Sequence, residues 1–154
     1  MLTEEQTKEI LAEAAHFPHK QAASIEALRI VQRDHGWVSD EALEEIAGLL
    51  EMTTAELDGV ATFFNLIYRQ PVGRHVILIC NSVTCWLMGY PGLRDHLVSS
   101  LGIELGETTQ DGRFTLLPVV CLGDCDHAPA MMVGEDLHHD LTPEKIDQIL
   151  AQYT

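Results

Sequence analysis

The four cysteines of the chain form two short pairs, and each pair directly follows an apolar run. The pairs are Cys80 with Cys85, after residues 75–79, and Cys121 with Cys125, after residues 114–120. Apolar, β-branched runs of this length are typical of strands that are covered on both faces. Two such strands side by side would bring four thiols together, where they could hold one soft-ligand metal centre. This placement constrains the fold of the second half of the chain.

The first seventy residues carry helical patterns. Two capping boxes, Thr3 with Gln6 and Thr53 with Glu56, indicate helix starts. Apolar residues at helical spacing follow each start, and Gly36 and Pro18 interrupt the pattern between helices. The pattern predicts a small helical bundle over residues 1–70, with no chemistry of its own.

From residue 71 the pattern changes to strands alternating with helices. The predicted elements are a strand over 74–79, a turn over 89–92, a helix over 93–101, a strand over 113–120, a hairpin over 130–138 and a helix from residue 142. The order β-α-β-β-α matches the core of a thioredoxin-like fold. The predicted fold class is therefore α+β, with a thioredoxin-like domain over residues 71–154 that follows the helical bundle.

Charge excludes several classes of function. The chain has 24 acidic and 9 basic residues, for a net charge of −15. This charge opposes binding to nucleic acids and to anionic membrane surfaces. No apolar run approaches the roughly 20 residues of a membrane-spanning helix, and the N-terminus lacks the apolar segment of a secretory signal. We therefore expect a cytosolic protein, in which clustered cysteines more often bind metal or do redox chemistry than form structural disulfides.

Four interpretations of the cysteines follow from their positions alone. Disulfides conflict with the cytosolic signature, and simple buried thiols would rarely be confined to two strand ends. Structural zinc usually takes tighter spacings than the C-x4-C and C-x3-C found here. The wider spacing favours a two-iron two-sulfide cluster only modestly, so zinc stays open.

Other chemical motifs are missing from the sequence. It contains no C-x-x-C dithiol, no G-x-G-x-x-G fingerprint and no phosphate-binding loop. We therefore expect no substrate or nucleotide site on this chain. His127, two residues after Cys125, is expected to be a surface residue or a neighbour of the metal centre rather than a ligand. The remaining histidines, including His138 and His139, are expected to be isolated and solvated.

Several strings of the sequence resemble one known family, the E subunits of bacterial NADH-quinone oxidoreductase, counterparts of the 24-kilodalton subunit of respiratory complex I. The strings are AASIEAL (22–28), GWV (36–38), GVATFF (59–64), QPVGRH (70–75) and GRFTLLP (112–118), together with both cysteine motifs. The resemblance covers nearly the whole chain. It implies an N-terminal helical bundle and a thioredoxin-like [2Fe-2S] ferredoxin domain.

The resemblance also implies a function and a set of ligands. Cys80, Cys85, Cys121 and Cys125 would bind one [2Fe-2S] cluster that accepts an electron from the flavin of a partner subunit. FMN and NADH would be bound by that partner and not by this chain. This chain would contact that partner and other peripheral-arm subunits, and it would be peripheral to the inner membrane through the assembled complex, without direct membrane insertion. Related subunits serve NAD-linked hydrogenases and formate dehydrogenases, and a structural zinc-binding adaptor is the alternative from another class.

Two further expectations concern this electron-transfer role. An all-thiolate cluster becomes more negative on reduction, so we expect a low potential, near the roughly −400 mV of plant-type ferredoxins. Hydroxyls of Ser82 and Thr84 directed at the sulfurs would raise it. The side chains expected to dock partners are Trp37, Phe63, Phe64 and Tyr68, although at least two of them are expected to be buried.

Overall fold

A computed structural model describes all residues of the chain, 1–154, which fall into two compact units, Met1–Pro71 and Val72–Thr154. The first unit is helical. Its elements are α1 (Glu4–Ala14), a short 3₁₀ helix (Lys20–Ala23), α2 (Ser24–His35), α3 (Asp40–Leu49) and α4 (Thr54–Phe63). The second unit combines a four-stranded sheet with three helices, so the predicted α+β class is confirmed.

Local sequence signals set the helix ends of the first unit. Both predicted capping boxes form, at Thr3 with Gln6 and at Thr53 with Glu56. Gly36 ends α2 in the left-handed conformation (φ 78°), which glycine adopts without a steric cost. The predicted second helix differs in one respect, because its first turn is a 3₁₀ helix that precedes α2.

The apolar stripes of these helices form one core. It includes the fully buried side chains Ile10, Leu28, Leu43, Ile46, Leu50 and Leu57. Burying a side chain of this size contributes about 1.5–3 kcal/mol of transfer free energy. The first unit also contains a buried polar residue, Gln6, whose side-chain amide donates to the Asp34 carboxylate at 2.8 Å.

The second unit is built on a mixed sheet with the strand order β2-β1-β3-β4. The strands are β1 (His75–Cys80), β2 (Phe114–Val119), β3 (Met131–Val133) and β4 (Asp136–His138). β1 pairs in parallel with β2 and antiparallel with β3. Its residues from Val76 to Cys80 are all buried, as the continuous apolar run predicts for a central strand.

Three helices complete the second unit: α5 (Val83–Leu87), α6 (Tyr90–Leu101) and α7 (Pro143–Leu150). The predicted turn over 89–92 is wrong, because α6 begins at Tyr90 and Pro91 lies in its first turn. Proline is tolerated there since the first helical amides have no intrahelical partner. Gly89 precedes the helix with φ 111°, a conformation that favours glycine. The short helix α5 was not predicted from the sequence either.

The parallel pairing of β1 and β2 positions the cysteines. The register places Cys80 opposite Val119, so both strands end at the same edge of the sheet. Cys85 follows in α5, and Cys121 and Cys125 follow β2. None of the seven α-helices combines the length and apolar character that a membrane-spanning segment needs.

Candidate metal centre

The four predicted cysteines converge at this edge, and none of them forms a disulfide. Cys80 is the last residue of β1, and Cys85 lies inside α5 rather than in the predicted loop. Both of these thiols are buried. Cys121, in a loop, and Cys125, at the start of a 3₁₀ turn, are exposed. The site therefore has one buried and one exposed pair.

The sulfurs of the exposed pair are close enough to share a metal ion. The Sγ atoms of Cys121 and Cys125 lie 3.9 Å apart. Two thiolates on one tetrahedral ion, with metal–sulfur bonds of about 2.3 Å, are separated by about 3.8 Å. Cys80 and Cys85 are near enough that each thiol shifts the pKa of the other. The arrangement thus provides two thiol pairs for two ions rather than four thiols scattered at random.

The segments that carry the two pairs are hydrogen-bonded to each other around the sulfurs. The Thr84 hydroxyl, in α5, bonds the Cys125 sulfur, and the Leu122 amide bonds the Cys80 sulfur. Two contacts come from residues near the sulfur in sequence. The Ser82 hydroxyl oxygen lies 3.5 Å from Cys80 Sγ, and the Gly123 N–H donates to Cys121 Sγ at 3.3 Å. The hydroxyls of Ser82 and Thr84 therefore both lie beside cysteine sulfurs.

The thiols of a pair do not ionise equally. Burial opposes ionisation of Cys80, but hydrogen bonds from Ser82, Cys85 and the Leu122 amide outweigh it and lower the pKa of this thiol. Burial, reinforced by the bond to Cys80, raises the pKa of Cys85 to about 11. The hydrogen bond and the negative charge of Cys121 raise the pKa of Cys125. Positive charge placed between the sulfurs would remove this conflict, as a bound metal does.

One buried carboxylate oxygen beside the site has no partner. Oδ2 of Asp124, next to Cys125, accepts no hydrogen bond. A buried carboxylate oxygen left unpaired is costly. Together, the four free thiols, the donors aimed at them and the spacing within each pair fit a thiolate-ligated iron–sulfur cluster.

An exposed apolar face covers the outside of α5. Val83, Trp86 and Leu87 are spaced so that they share one side of the helix, and Met88 follows it. These four side chains are 53–78% exposed, while Cys85 in the same helix is buried. This face was not predicted from the sequence, because α5 itself was not.

The predicted docking side chains of the first unit differ from expectation in one respect, because none of the four is fully buried. Phe63 is 80% exposed and Phe64 38%, and their rings meet edge to face. Trp37 and Tyr68 are half-buried, and burial raises the pKa of Tyr68. The two phenylalanines are therefore the accessible members of the set.

The histidines depart from expectation. His127 is exposed, as predicted. His138 and His139 are not isolated: His138 lies 3.0 Å from the Tyr153 hydroxyl, and His139 Nδ1 lies 2.7 Å from an Asp140 carboxylate oxygen. No local pattern signals the contact between His138 and Tyr153, because the two residues are 15 positions apart and meet only in the folded chain.

Comparison with known proteins shows the family to which the chain belongs. Residues 7–154 match the model of the thioredoxin-like [2Fe-2S] ferredoxins. The chain belongs to the thioredoxin-like [2Fe-2S] ferredoxin family. It is 52% identical over 141 residues to the E subunit of the NADH-quinone oxidoreductase of Salmonella typhimurium, covering 92% of this chain and 85% of the relative. The resemblance stated above, and the thioredoxin-like fold, are confirmed.

Two further comparisons agree with this family. The E subunit of the NADH-quinone oxidoreductase of Pseudomonas aeruginosa is 46% identical over 153 residues, covering 99% of this chain and 92% of the relative. The structure of an NAD+-reducing [NiFe]-hydrogenase in the air-oxidized state superimposes with a TM-score of 0.64 at 25% identity, over 73% of this chain. The chain spans one fifth (20%) of the length of that hydrogenase chain.

Proposed function

We propose that Cys80, Cys85, Cys121 and Cys125 hold one [2Fe-2S] cluster in an electron-transfer subunit of an NADH-quinone oxidoreductase. The observation that carries this proposal is the convergence of two thiol pairs at one sheet edge of a [2Fe-2S] ferredoxin-family chain, with the sulfurs of Cys121 and Cys125 3.9 Å apart. Cys80 with Cys85 would bind one iron, and Cys121 with Cys125 the other. The cluster, when bound, supplies a one-electron redox centre.

The residues of the chain would hold and tune this centre. Backbone amides and the Ser82 and Thr84 hydroxyls stabilise negative charge on the sulfurs, and therefore favour the reduced state. The net charge of −15 opposes reduction, although solvent screens charges farther than about 8–10 Å. We expect no substrate site on this chain, so its electrons would come from a partner.

The partner would be the flavin- and NADH-binding subunit of the same complex. FMN and NADH would be bound there and not on this chain. The exposed apolar face of α5 supports such a contact, because it lies on the helix that carries Cys85. An α-helix with its side chains is about 10–12 Å across. A subunit docked on Val83, Trp86 and Leu87 would therefore come close to the cluster, and Phe63 and Phe64 would be free to contact other peripheral-arm subunits.

The location and domain roles follow from this assignment. The chain would be cytoplasmic and peripheral to the inner membrane, held there through the assembled complex. Residues 1–70 would serve as the helical bundle and residues 71–154 as the [2Fe-2S] domain. The likeness to a hydrogenase that reduces NAD+ favours one alternative, an equivalent subunit of an NAD-linked hydrogenase or formate dehydrogenase. Membership of a ferredoxin family argues against the zinc-binding adaptor.

Aerobic purification of the full chain tests the cluster assignment. We expect red-brown protein with two irons and two sulfides per chain, and an EPR signal after reduction at a low potential. Colourless protein that contains stoichiometric zinc would contradict the proposed cluster. A positive midpoint potential would contradict the predicted low potential. Co-expression with the flavin subunit would then test the α5 contact: Leu87→Glu should prevent assembly, whereas Leu137→Glu, an exposed control on β4, should not.

A further inference from the structure

Three metal-ligating side chains meet beside the cysteine site without any role in the proposed electron transfer. His127 ends the 3₁₀ turn that begins at Cys125, and His139 and Asp140 follow β4. Asp140 Oδ2 lies 2.7 Å from His139 Nδ1 and 3.5 Å from His127 Nδ1. The three ligand atoms all lie within 4.8 Å of one another, and the two imidazole rings are 4.8 Å apart at their centroids.

The second nitrogen of His127 shows how this ring is oriented. Its Nε2 lies 3.6 Å from the Asp126 carboxylate. Each ring nitrogen of His127 therefore faces a carboxylate, Asp126 at Nε2 and Asp140 at Nδ1. A carboxylate on one ring nitrogen of a metal-binding histidine orients the ring and makes the other nitrogen a better ligand. A cation bound between His127 Nδ1 and Asp140 Oδ2 would take one bond from each atom.

The backbone holds the three side chains in place before any ion arrives. The Asp140 N–H donates to the His127 carbonyl at 2.8 Å, which joins the two segments directly. The Lys145 ammonium donates to the His139 carbonyl at 2.5 Å. Because the ligands come from two segments tied together by these bonds, little ordering would be needed on binding.

We propose that His127, His139 and Asp140 form a binding site for one divalent transition-metal ion such as Zn²⁺. Two imidazoles and one carboxylate suit zinc, nickel and related ions, whereas magnesium and calcium prefer oxygen ligands alone. All three side chains are 44–59% exposed, so water can fill the remaining coordination positions and the ion can enter from solvent. The site contains no cysteine and is therefore distinct from the thiolate centre.

The surrounding charge favours a cation, because the carboxylates of Asp124, Asp126 and Asp140 outnumber the nearby Lys145 ammonium. Asp126 flanks His127 on its other ring nitrogen, the ligand atoms of Asp124 and Asp126 lie within 4.8 Å of that of His127, and the chain as a whole is strongly acidic. A dication this close to Cys125 would also stabilise added negative charge on the cluster. This consequence, unlike the binding itself, rests on the proposed function: Zn²⁺ should raise the midpoint potential.

Calorimetric titration of Zn²⁺ into the cluster-loaded full chain tests the proposal, with iron content checked before and after. We expect one Zn²⁺ per chain, and binding at least tenfold weaker in His139→Ala and in Asp140→Asn. His16→Ala is the matched control, because it removes an exposed histidine that also faces a carboxylate, Glu13 at 3.5 Å, in the first unit. Its Zn²⁺ affinity should equal that of the unaltered chain.

Two results would overturn the site. One is the absence of stoichiometric Zn²⁺ binding, and the other is binding that His139→Ala and Asp140→Asn both leave unchanged. These failures are separate from failure of the proposed function, which would appear as missing iron and missing visible absorption.

Discussion

Hydroxyl side chains before helices have different partners in the two units of the molecule. In the first unit, Thr3, Ser39 and Thr53 each accept a hydrogen bond from a backbone N–H of the helix that follows. In the second unit, Ser82 occupies the same position before α5 but makes no such bond, and its hydroxyl lies beside the Cys80 sulfur. The local rule for helix starts is broken beside the cysteines.

The second unit as a whole does not break this rule. Thr142 caps α7 in the ordinary way, with its hydroxyl accepting from the Lys145 N–H at 3.2 Å. The departure is therefore specific to α5, which has only five residues and carries Cys85. A sequence that gives up a local stabilising interaction at one position often does so for function. The comparison teaches that the hydroxyl of Ser82 is placed to serve the proposed metal centre rather than to cap its helix.

The largest expected effect comes from removing a buried thiol of this centre. Cys85→Ala should abolish the cluster, because one iron would lose a ligand in a buried position that water does not readily replace. The measurement is the visible absorption and iron content of the purified chain. Val83→Ala, an exposed neighbour in the same helix, is the control and should retain both. A Cys85→Ala chain that keeps its full iron content would exclude this cysteine as a ligand.

The second effect tests whether the hydroxyls of Thr53 and Thr142 stabilise their helices while that of Ser82 does not. Thr53→Ala should lower the free energy of unfolding by about 1 kcal/mol, the usual cost of losing a helix cap. Thr142→Ala should do the same in the second unit. Ser82→Ala should change the stability of the cluster-free chain by much less, because its hydroxyl caps nothing. Denaturant titration gives the free energy of unfolding of the three variants. An equal loss of stability in all three would show that Ser82 caps its helix as the two threonines do.

The third effect tests the contact between the Ser82 hydroxyl and the Cys80 sulfur. Ser82→Ala should lower the midpoint potential of the cluster by about 20–60 mV, the one-electron equivalent of a hydrogen bond worth about 0.5–1.5 kcal/mol. The sign follows because the hydroxyl stabilises the more negative, reduced state. Redox titration followed by EPR gives the value, with Thr142→Ala as a control that should leave the potential unchanged. A higher potential in Ser82→Ala would contradict the assignment.

The smallest expected effect separates the two capping boxes of the first unit. The backbone N–H and hydroxyl of Thr53 donate to the Glu56 carboxylate and hold its pKa below its usual value of 4.5. The resulting stabilisation is present above pH 4.5 and is lost as the pH falls through the lowered pKa. The box of α1 uses the neutral amide of Gln6, so it does not titrate.

Hydrogen exchange of the first amides of α4 and α1 measures this difference. Protection in α4 should decline relative to α1 as the pH falls below 4.5, the usual pKa of the Glu56 carboxyl, after correction for the intrinsic exchange rate. Glu56→Gln should remove the decline. Parallel behaviour of the two helices at all pH values would show that the carboxylate of Glu56 adds nothing to the cap.

Prediction from sequence succeeded where local patterns determine structure. Capping boxes at Thr3 and Thr53, the glycine after α2 and the proline at the start of α7 set helix ends through contacts within one turn. The continuous apolar run before Cys80 predicted a buried central strand, because only such a strand excludes polar residues from both faces. Prediction failed at α5 and at the start of α6, where short length and a proline obscure the helical period.

The sequence by itself determined that four thiols follow two strands, and its resemblance to a known family pointed to an iron–sulfur centre. Only the tertiary structure decided which atoms face those sulfurs. The parallel register of β1 and β2 brings both strand ends to one edge, and this long-range pairing cannot be read from local spacing. The same holds for His127, His139 and Asp140, which are separated along the chain and meet only because β4 returns beside the cysteine turn.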